Sequence, residues 1–302
     1  MKHTSRAGLI RFFKKIGGFI IVLIAIDFLC GSLLKHLFYK QKYNSITCDI
    51  NNTNEDILVF GSSKALHHYV PSVFKNKLHE TFYNCGQDGS YMIFSFALIS
   101  AVLERYTPKQ IIIDINTRDL CEDEEGKLSQ LLPYHDDPAI NSFIKYNSKF
   151  ESYKLLSPIY PYNSLLGTVI FNSLPSRQMI RRDSNGYIKY KKSLPFHKKE
   201  ILEPGVINSA RKKILDNFLM VLNKKNIKVT VVISPVYFSI SDKDSTAAIV
   251  NSICKKYNNT RFFSYENSSE FSESRLFNDE YHLNDAGARK FSADLAEKMA
   301  KN

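Results

Sequence analysis

Three polar residues near opposite ends of the chain have the side-chain types that nucleophilic acyl chemistry requires. Ser63 follows an apolar run that ends in Gly61, and Asp279 and His282 lie in the stretch FNDEYHLNDAGARKF near the C-terminus. A serine hydroxyl becomes a good nucleophile when a His takes its proton and a carboxylate fixes the His tautomer. The spacing of three allows Asp279 to reach Nδ1 of His282, which leaves Nε2 for a serine. We therefore predict a catalytic triad of Ser63, His282 and Asp279.

Acyl transfer also needs hydrogen-bond donors that point at the oxyanion of its tetrahedral intermediate. Four candidates follow predicted strands: the backbone N–H groups of Ser63, Gly86 and Gly89, and the side-chain amide of Asn116. The sequence leaves the choice between Gly86 and Gly89 open. Asn116 has an equal alternative as a turn-forming residue.

The predicted site residues also have structural interpretations. Ser63 could act only as a helix N-cap, because serine is favoured there. Asp279 and His282 could be solvated residues of a surface loop. His67 and His68 follow Ser63 by four and five residues, and we interpret them as structural histidines because nothing else in the sequence marks them as functional.

The elements that position these residues are predicted from an alternation of short apolar runs and helical stretches. Strands are predicted over 56–61, 81–86, 110–115, 228–234 and 261–264, and helices after Ser63 and over 90–105, 209–225, 245–257 and 284–301. This order predicts an α/β fold with a parallel sheet and helices on both faces. Ligands bind outside the carboxyl ends of such strands, so the loops that carry the candidate residues are expected to converge there.

The segment 119–204 interrupts this alternation and is rich in Tyr, Pro and Lys. We interpret it as an insertion into an α/β domain over 56–302. Ser184-Asn185-Gly186 predicts a hairpin turn between strands at 179–182 and 187–190. The insertion could form part of a substrate cleft or could merely cover the sheet.

The N-terminus predicts a membrane anchor over residues 1–37, followed by a linker over 38–55. Positions 16–34 read IGGFIIVLIAIDFLCGSLL, with one charge in nineteen residues, and the first fifteen residues carry five basic side chains and no acid. About 20 apolar residues cross a bilayer, and the basic stub favours a cytoplasmic N-terminus with the α/β domain outside the cytoplasm. A cleaved signal peptide and a buried core helix are the alternatives.

The composition limits the remaining function classes. A chain of 302 residues that is 44% hydrophobic can bury a sizeable core. The net charge of +11 is compatible with nucleic acid, but no zinc-finger spacing and no aromatic RNA-binding motif occurs in the sequence. The eight histidines have no H-x-x-x-H or H-E-x-x-H spacing, so we expect neither a metal nor another cofactor.

The motifs together resemble the SGNH/GDSL hydrolase superfamily. Gly61-Ser62-Ser63 stands where that family has Gly-Asp-Ser, Asp114-Ile115-Asn116-Thr117 where it has Gly-x-Asn-Asp, and Asp279-Glu280-Tyr281-His282 matches its D-x-x-H. The resemblance covers about 56–301, apart from the insertion. Ser62, Asp114 and Thr117 depart from the family pattern.

The resemblance implies a flavodoxin-like three-layer sandwich, with Ser63 as nucleophile and Asn116 as an oxyanion donor. With an N-terminal anchor, the chain looks most like the cell-envelope branch of esterases and O-acyltransferases. That branch implies an acylated envelope saccharide or polymer as substrate and a membrane protein as acyl donor. The alternative is a tethered glycan-binding or assembly component that keeps the fold without turnover, which the departures from the family pattern allow.

Overall fold

The computed structural model describes residues 6–41, 44–121, 128–173, 182–203, 205–241 and 246–301. Their contacts divide the chain into two units. The first contains the described residues of 1–44 and 129–178, and the second those of 45–128 and 179–302. The segment expected as one insertion over 119–204 is therefore shared between the units, and its described residues after 178 belong with the α/β unit.

The second unit is built on a parallel sheet. Its seven strands among the described residues are β1 (Ile57–Phe60), β2 (Phe82–Asn84), β3 (Gln110–Asp114), β4 (Ile201–Leu202), β5 (Lys228–Ile233), β6 (Ser239–Ile240) and β7 (Thr260–Ser264). Five of them form one sheet in the order β2-β1-β3-β5-β7, and β4 pairs with β6. All pairs in the five-stranded sheet are parallel. The order is the flavodoxin-like one, so the predicted α/β fold is confirmed.

Helices precede, follow and connect the strands. They are α1 (Arg6–Lys40), α2 (Ser45–Asn52), α3 (Ser63–His68), α4 (Pro71–Leu78), α5 (Met92–Arg105), α6 (Pro138–Asn147), α7 (Glu151–Lys154), α8 (Leu166–Asn172), α9 (Ser209–Lys224), α10 (Thr246–Cys254) and α11 (Asp285–Ala300). Short 3-10 helices cover Leu128–Tyr134, Tyr160–Leu165, Ser269–Phe271 and Ser274–Leu276. The expected linker over 38–55 thus contains α2, whose Ile46, Asp49 and Ile50 are buried.

The sheet is buried between two layers of helix because its central strands are continuous apolar runs. All four residues of β1 are buried, as are the last four of β3. Ile57 and Val59 share one apolar cluster with Phe291 and Leu295 of α11. Elsewhere in the unit, Phe96 of α5 stacks on Phe218 of α9 at 3.9 Å between ring centroids. Burial on both faces explains why these strands are apolar throughout instead of alternating.

The hairpin predicted around residues 184–186 is only partly found. A turn is present, since Gly186 N donates to Asp183 O and Asp183 N to Tyr187 O. The predicted strand over 187–190 is wrong, because those residues form no strand, and 179–181 lie outside the described residues. The backbone groups of this segment bond instead to distant elements: Ile188 N donates to the Leu66 carbonyl of α3, and Asn185 O accepts from Asn84 of β2.

In the first unit, α1 is the one helix of the described chain that is long and apolar enough to cross a membrane. Its length and composition also suit a signal sequence. The C-terminal part of α1 packs within the unit, where Leu34 and Phe38 are buried and Phe38 contacts the rings of Tyr134 and Tyr162. Most of the large side chains before Leu34 are exposed.

Candidate active site

The turn between β1 and α3 presents Ser63 at the carboxyl end of the sheet. Gly61 has a φ of +155°, and a Cβ there would lie 2.8 Å from Ala65 Cβ and 2.9 Å from Asp114 Cβ, so only glycine suits this position. Ser62 is the N-cap of α3, and its Oγ accepts from the Lys64 N–H. Ser63 is therefore the first residue of the helix, where its own N–H has no intrahelical acceptor.

The structure brings together the three residues of the predicted triad. Ser63 Oγ and His282 Nε2 are 2.8 Å apart, although 219 positions separate the two residues in the sequence. His282 Nδ1 and Asp279 Oδ1 are also 2.8 Å apart. Both distances lie within the range of a short hydrogen bond. Nδ1–H donating to Asp279 and Ser63 Oγ–H donating to Nε2 is the proton arrangement that serine acylation requires.

Asp279 is held in place by its own loop. Its Oδ1 accepts from the backbone N–H groups of Tyr281 and His282, both at 3.0 Å, and Oδ2 accepts from Asn278 Nδ2 at 2.9 Å. Burial alone would raise the pKa of this carboxyl, but the hydrogen bonds from His282 and Asn278 outweigh burial and lower the pKa to about 2. Asp279 is therefore ionised at neutral pH and can fix the tautomer of His282.

His68 supports the loop that carries His282. It is fully buried, its Nε2 accepts from the Leu283 N–H at 3.0 Å, and its Nδ1 lies 3.2 Å from Ser234 Oγ. An acceptor at Nε2 places the ring proton on Nδ1, which donates to Ser234. Burial, reinforced by the nearby His282, lowers the pKa of His68 well below its usual value. His68 is thus a neutral side chain that fixes the backbone immediately after His282.

His67 also contacts the His282 ring. Its Nδ1 donates to the Ile188 carbonyl at 2.7 Å, and its ring stacks on Tyr190 at 3.8 Å between centroids. Both rings meet the edge of His282 at centroid distances of 5.6 Å. The structural interpretation of the two histidines agrees with these contacts. Their sequence position on α3 gave no signal of the contact with His282, because that contact depends on residues more than 200 positions away.

The oxyanion candidates separate clearly in the structure. Gly86 N already donates to Asn84 Oδ1 at 2.9 Å, and a Cβ on Gly86 would lie 2.3 Å from Leu66 N, so this glycine serves close packing against α3. Gly89 instead lines the cavity beside Ser63, with a φ of +66° and open space around its Cα. Of the two glycines, Gly89 is therefore the one that lines the cavity beside Ser63.

Asn116 lies at the same cavity, after the end of β3. Its Nδ2 donates to Ser62 Oγ at 3.0 Å, which holds the amide next to the turn that carries Ser63. A primary amide has two N–H donors, so one remains after this bond. The Asn116 backbone N–H donates to Asp119 Oδ2 at 2.8 Å, which orients the loop that carries the side chain.

Two buried polar residues that the motifs did not assign hold these loops. Asn84 Nδ2 donates to the carbonyls of Ala65 at 2.8 Å and Tyr69 at 3.0 Å, which caps the C-terminal end of α3. Asp114 is buried at the end of β3 and accepts from Tyr69 Oη at 2.6 Å. Burial raises the pKa of Asp114, and the nearby Lys64 ammonium and the Tyr69 hydrogen bond offset part of that rise. Asp114, which stands where the SGNH pattern has Gly, therefore fixes Tyr69 at the end of α3.

The cavity above Ser63 has a volume of about 240 Å³. The side chains of Leu202, Val236 and Phe238 give it an apolar wall, and Tyr281 lies at its edge with 53% of its surface exposed. Ser63, His282, Asn116 and Gly89 supply the polar side. Within the described ranges, no group of three His, Cys, Asp or Glu residues is placed to hold a metal ion.

Comparisons with known proteins leave the family open. No protein-family model matches the chain, and no curated protein matches it. Among solved structures, a similar chain is described as "a putative platelet activating factor from Streptococcus pneumonia". The match covers 92% of this chain and 99% of that chain, at 13% sequence identity and a TM-score of 0.44. At this identity and score, the similarity assigns neither a family nor an activity to the protein.

Proposed function

We propose that the protein is a Ser-His-Asp acyl-ester hydrolase or O-acyltransferase. The observation that carries this proposal is the pair of 2.8 Å contacts that joins Ser63 Oγ to His282 Nε2 and His282 Nδ1 to Asp279 Oδ1. A serine beside a histidine is not by itself a catalytic pair. Nucleophilic acyl chemistry needs a hydrogen-bonded carboxylate, an imidazole that it orients and a hydroxyl, with the imidazole and the hydroxyl beside one cavity, and all of these are present here.

In the first half-reaction, Ser63 Oγ attacks the carbonyl carbon of an ester while His282 Nε2 takes the hydroxyl proton. The negative charge moves to the carbonyl oxygen, where the N–H groups of Ser63 and Gly89 and the remaining amide hydrogen of Asn116 are the donors we assign to the oxyanion. The tetrahedral intermediate then collapses. The bond to the alcohol oxygen breaks, His282 returns its proton to that oxygen, and an acyl-Ser63 ester remains.

In the second half-reaction, His282 removes a proton from the acceptor as the acceptor oxygen attacks the acyl carbon. The bond from that carbon to Ser63 Oγ then breaks, and His282 returns the proton to Ser63. Water as acceptor releases a carboxylic acid and makes the protein an esterase. A sugar hydroxyl as acceptor forms a new ester and makes the protein an O-acyltransferase. The two outcomes share every protein group in the site and differ only in which acceptor reaches the acyl-enzyme.

We propose an acylated cell-envelope glycan as the substrate, with acetyl as the acyl group. A cavity of about 240 Å³ with an apolar wall fits a small acyl group. The exposed ring of Tyr281, which contacts Phe238 at 4.8 Å between centroids, offers apolar surface to a sugar ring outside the cavity. We place the site outside the cytoplasm, tethered by α1, because the basic residues precede the apolar run. A membrane protein that supplies the acyl group is the partner this reaction would need as a transferase.

A fluorophosphonate probe tests the proposal, because it phosphonylates an activated serine irreversibly. The full chain is expected to be labelled, and Ser63→Ala is expected to abolish labelling. Ser272→Ala is the matched control, since Ser272 is an exposed serine whose Oγ donates only to the neighbouring Ser269 carbonyl. Its labelling should equal that of the unchanged chain.

Absence of labelling in a well-folded chain would refute the enzymatic proposal and favour a tethered binding component. If labelling occurs, product analysis separates the two reactions. The chain is incubated with p-nitrophenyl acetate and an oligosaccharide acceptor. Free acetate alone identifies an esterase, and acetylated oligosaccharide identifies a transferase.

A further inference from the structure

The first unit exposes large apolar side chains around α7, which is unusual for a surface that faces water. Within residues 150–159 only Glu151 and Lys154 are charged, and no Asp, Glu, Lys or Arg occurs between positions 155 and 173. Phe150, Tyr153 and Leu156 are 73%, 71% and 80% exposed. They are spaced three residues apart along the turn of α7, so they share one side of it. Large exposed apolar groups on one side mark an interaction surface.

This segment is fixed against α1 immediately after Leu156. Ser157 Oγ donates to Asp27 Oδ1 at 2.8 Å, and the Ile159 N–H donates to the same oxygen at 3.3 Å. Between them, Pro158 packs directly on the helix backbone, because a Cβ on Gly31 would lie 2.4 Å from Pro158. The absence of a side chain at Gly31 permits this close approach.

The charges of α1 define how deep this contact would lie in a bilayer. Lys15 and Lys35 bound an apolar run of nineteen residues. At 1.5 Å per residue this run is about 28 Å long, close to the hydrocarbon thickness of about 30 Å, so the whole run is needed to cross. Asp27 lies seven residues before Leu34, or about 10 Å inside the edge of the apolar run. Residues 157–159 contact α1 at that same depth.

The polar groups at this depth satisfy one another. An ionisable residue inside a membrane span is costly unless it is paired, and irregular backbone is tolerated there only where its polar groups have partners. Asp27 is the only acid of the apolar run, and it accepts from one side chain and one backbone N–H of the neighbouring segment. The two charges on α7, Glu151 and Lys154, pair with each other at 2.8 Å. In a bilayer, Asp27 would therefore obtain from residues 157–159 the hydrogen bonds that water could not supply at that depth.

We propose that residues 150–159 form a second membrane-embedded segment, which enters the leaflet at the C-terminal end of α1. Phe150, Tyr153 and Leu156 contact lipid acyl chains there, and residues 157–159 dock on α1. The protein would then hold the membrane by a span and by a re-entrant segment. This inference rests on α1 crossing a bilayer and is independent of the catalytic proposal.

Helix α8 provides an internal depth reference in the same unit. Gln41 Nε2 donates to the Val169 carbonyl at 3.4 Å, so α8 contacts the chain just beyond the end of α1. Gln41 lies fourteen residues after Asp27, which corresponds to about 21 Å along a helix axis. Phe171 of α8 is 40% exposed. We expect it at the headgroup level or above, well outside the depth of Leu156.

Tryptophan depth measurement tests the proposal, because the chain contains no Trp. The full-length variants Phe19→Trp, Leu156→Trp and Phe171→Trp are reconstituted in phosphatidylcholine vesicles with brominated acyl chains. We expect the bromines to quench most of the emission at positions 19 and 156, and iodide in the water to leave both unaffected. At position 171 we expect the reverse order of quenching. Phe150→Trp replaces Leu156→Trp if that variant fails to fold.

The outcomes distinguish whether α1 spans the bilayer from whether residues 150–159 enter it. If bromine quenches the Phe19→Trp variant while iodide quenches the Leu156→Trp variant, α1 spans the bilayer and the re-entrant segment is refuted. Equal quenching at positions 156 and 171 also overturns the proposal, because the depth difference is lost. If iodide quenches the indole at position 19, α1 does not span the bilayer, and the proposal of a re-entrant segment is refuted as well. Fluorophosphonate labelling of the same samples reports the catalytic proposal separately.

Discussion

Substitution of Asp279 by Asn provides the sharpest quantitative test of the site, because it removes one charge with little change in shape. When Ser63 is acylated, His282 becomes an imidazolium, and in the unchanged chain its Nδ1–H donates to a carboxylate oxygen 2.8 Å away. The Asn side chain cannot supply that charge. It also cannot satisfy every present donor, because its NH2 group must face either Asn278 Nδ2 or the donors now bonded to Oδ1.

The magnitude follows from the separation and exposure of the pair. Coulomb's law gives about 6 kcal/mol for unit charges 2.8 Å apart at an effective dielectric constant of ~20, and about 1.5 kcal/mol in bulk water. The His282 and Asp279 side chains are 19% and 37% exposed, so the pair lies between these limits. We expect a loss of about 3 to 4 kcal/mol of transition-state stabilisation, or roughly 100- to 1000-fold in rate.

The assay is the second-order rate of fluorophosphonate labelling at neutral pH for the unchanged chain, Asp279→Asn and Glu280→Gln. Glu280→Gln is the matched control, because Glu280 is adjacent to Asp279 and its replacement also removes one negative charge. The Glu280 carboxylate lies 3.5 Å from His197 and not beside His282. We expect Glu280→Gln to change the rate by less than about threefold, because exposed charge pairs contribute little. Unfolding midpoints of all three proteins establish that each is folded.

Two results would contradict this reasoning. If Asp279→Asn is labelled as fast as the unchanged chain, Asp279 does not act on His282 during the reaction. If Glu280→Gln slows labelling as much as Asp279→Asn, the effect is a general loss of negative charge near the loop and not the direct contact with Nδ1.

Two further predictions concern the residues around the triad. Asn116→Ala removes one proposed oxyanion donor and is expected to slow labelling roughly 100-fold or more. The KM for p-nitrophenyl acetate should be nearly unchanged, because the donor acts on the transition state. An unchanged labelling rate would show that Asn116 serves only as a turn residue. Burial lowers the pKa of His68, so the unfolded chain binds a proton below pH ~6.5 that the native chain does not, and stability is present above that pH and lost below it. The free energy of unfolding should fall by up to about 1.4 kcal/mol per pH unit below pH ~6.5. His68→Gln should lose this slope, whereas His79→Gln, at an exposed histidine, should retain it; equal slopes in the parent chain and His68→Gln would refute the assignment of His68 as neutral, since that comparison cancels other groups such as Asp49, whose pKa burial raises to about 6.

The sheet and the triad loop were predictable because their signals are local. A parallel strand buried on both faces must be a short, continuous apolar run, and Gly61 and Pro235 mark where two of these runs end. Asp279 and His282 are close in sequence, so one turn of loop fixes their contact. Ser63 was predictable because a serine after a strand and before a helix occupies the carboxyl edge of the sheet.

The remaining features depend on contacts that sequence spacing does not encode. Gly86 and Gly89 are equivalent in the sequence, and it is their contacts that differ: Gly86 packs against Leu66 and donates its N–H to Asn84, whereas Gly89 lines the cavity. The second strand predicted for the hairpin at 184–186 does not form, because the Ile188 N–H donates to the Leu66 carbonyl of α3 and not to a partner strand. The packing of Pro158 on α1 joins segments more than 120 residues apart.

The position of Ser63 is therefore fixed by several buried contacts and not by the turn alone. Helix α3 has only six residues, too few to be stable by itself. Asn84 caps its C-terminal end, and His68 bonds that same end to the backbone of Leu283, the residue after His282. The helix that begins with Ser63 is thus hydrogen-bonded, through His68, to the backbone next to His282. Because Asn84 and His68 are both buried and neutral, these contacts place no charge beside the imidazole, and the carboxylate that bonds to Nδ1 of His282 is that of Asp279.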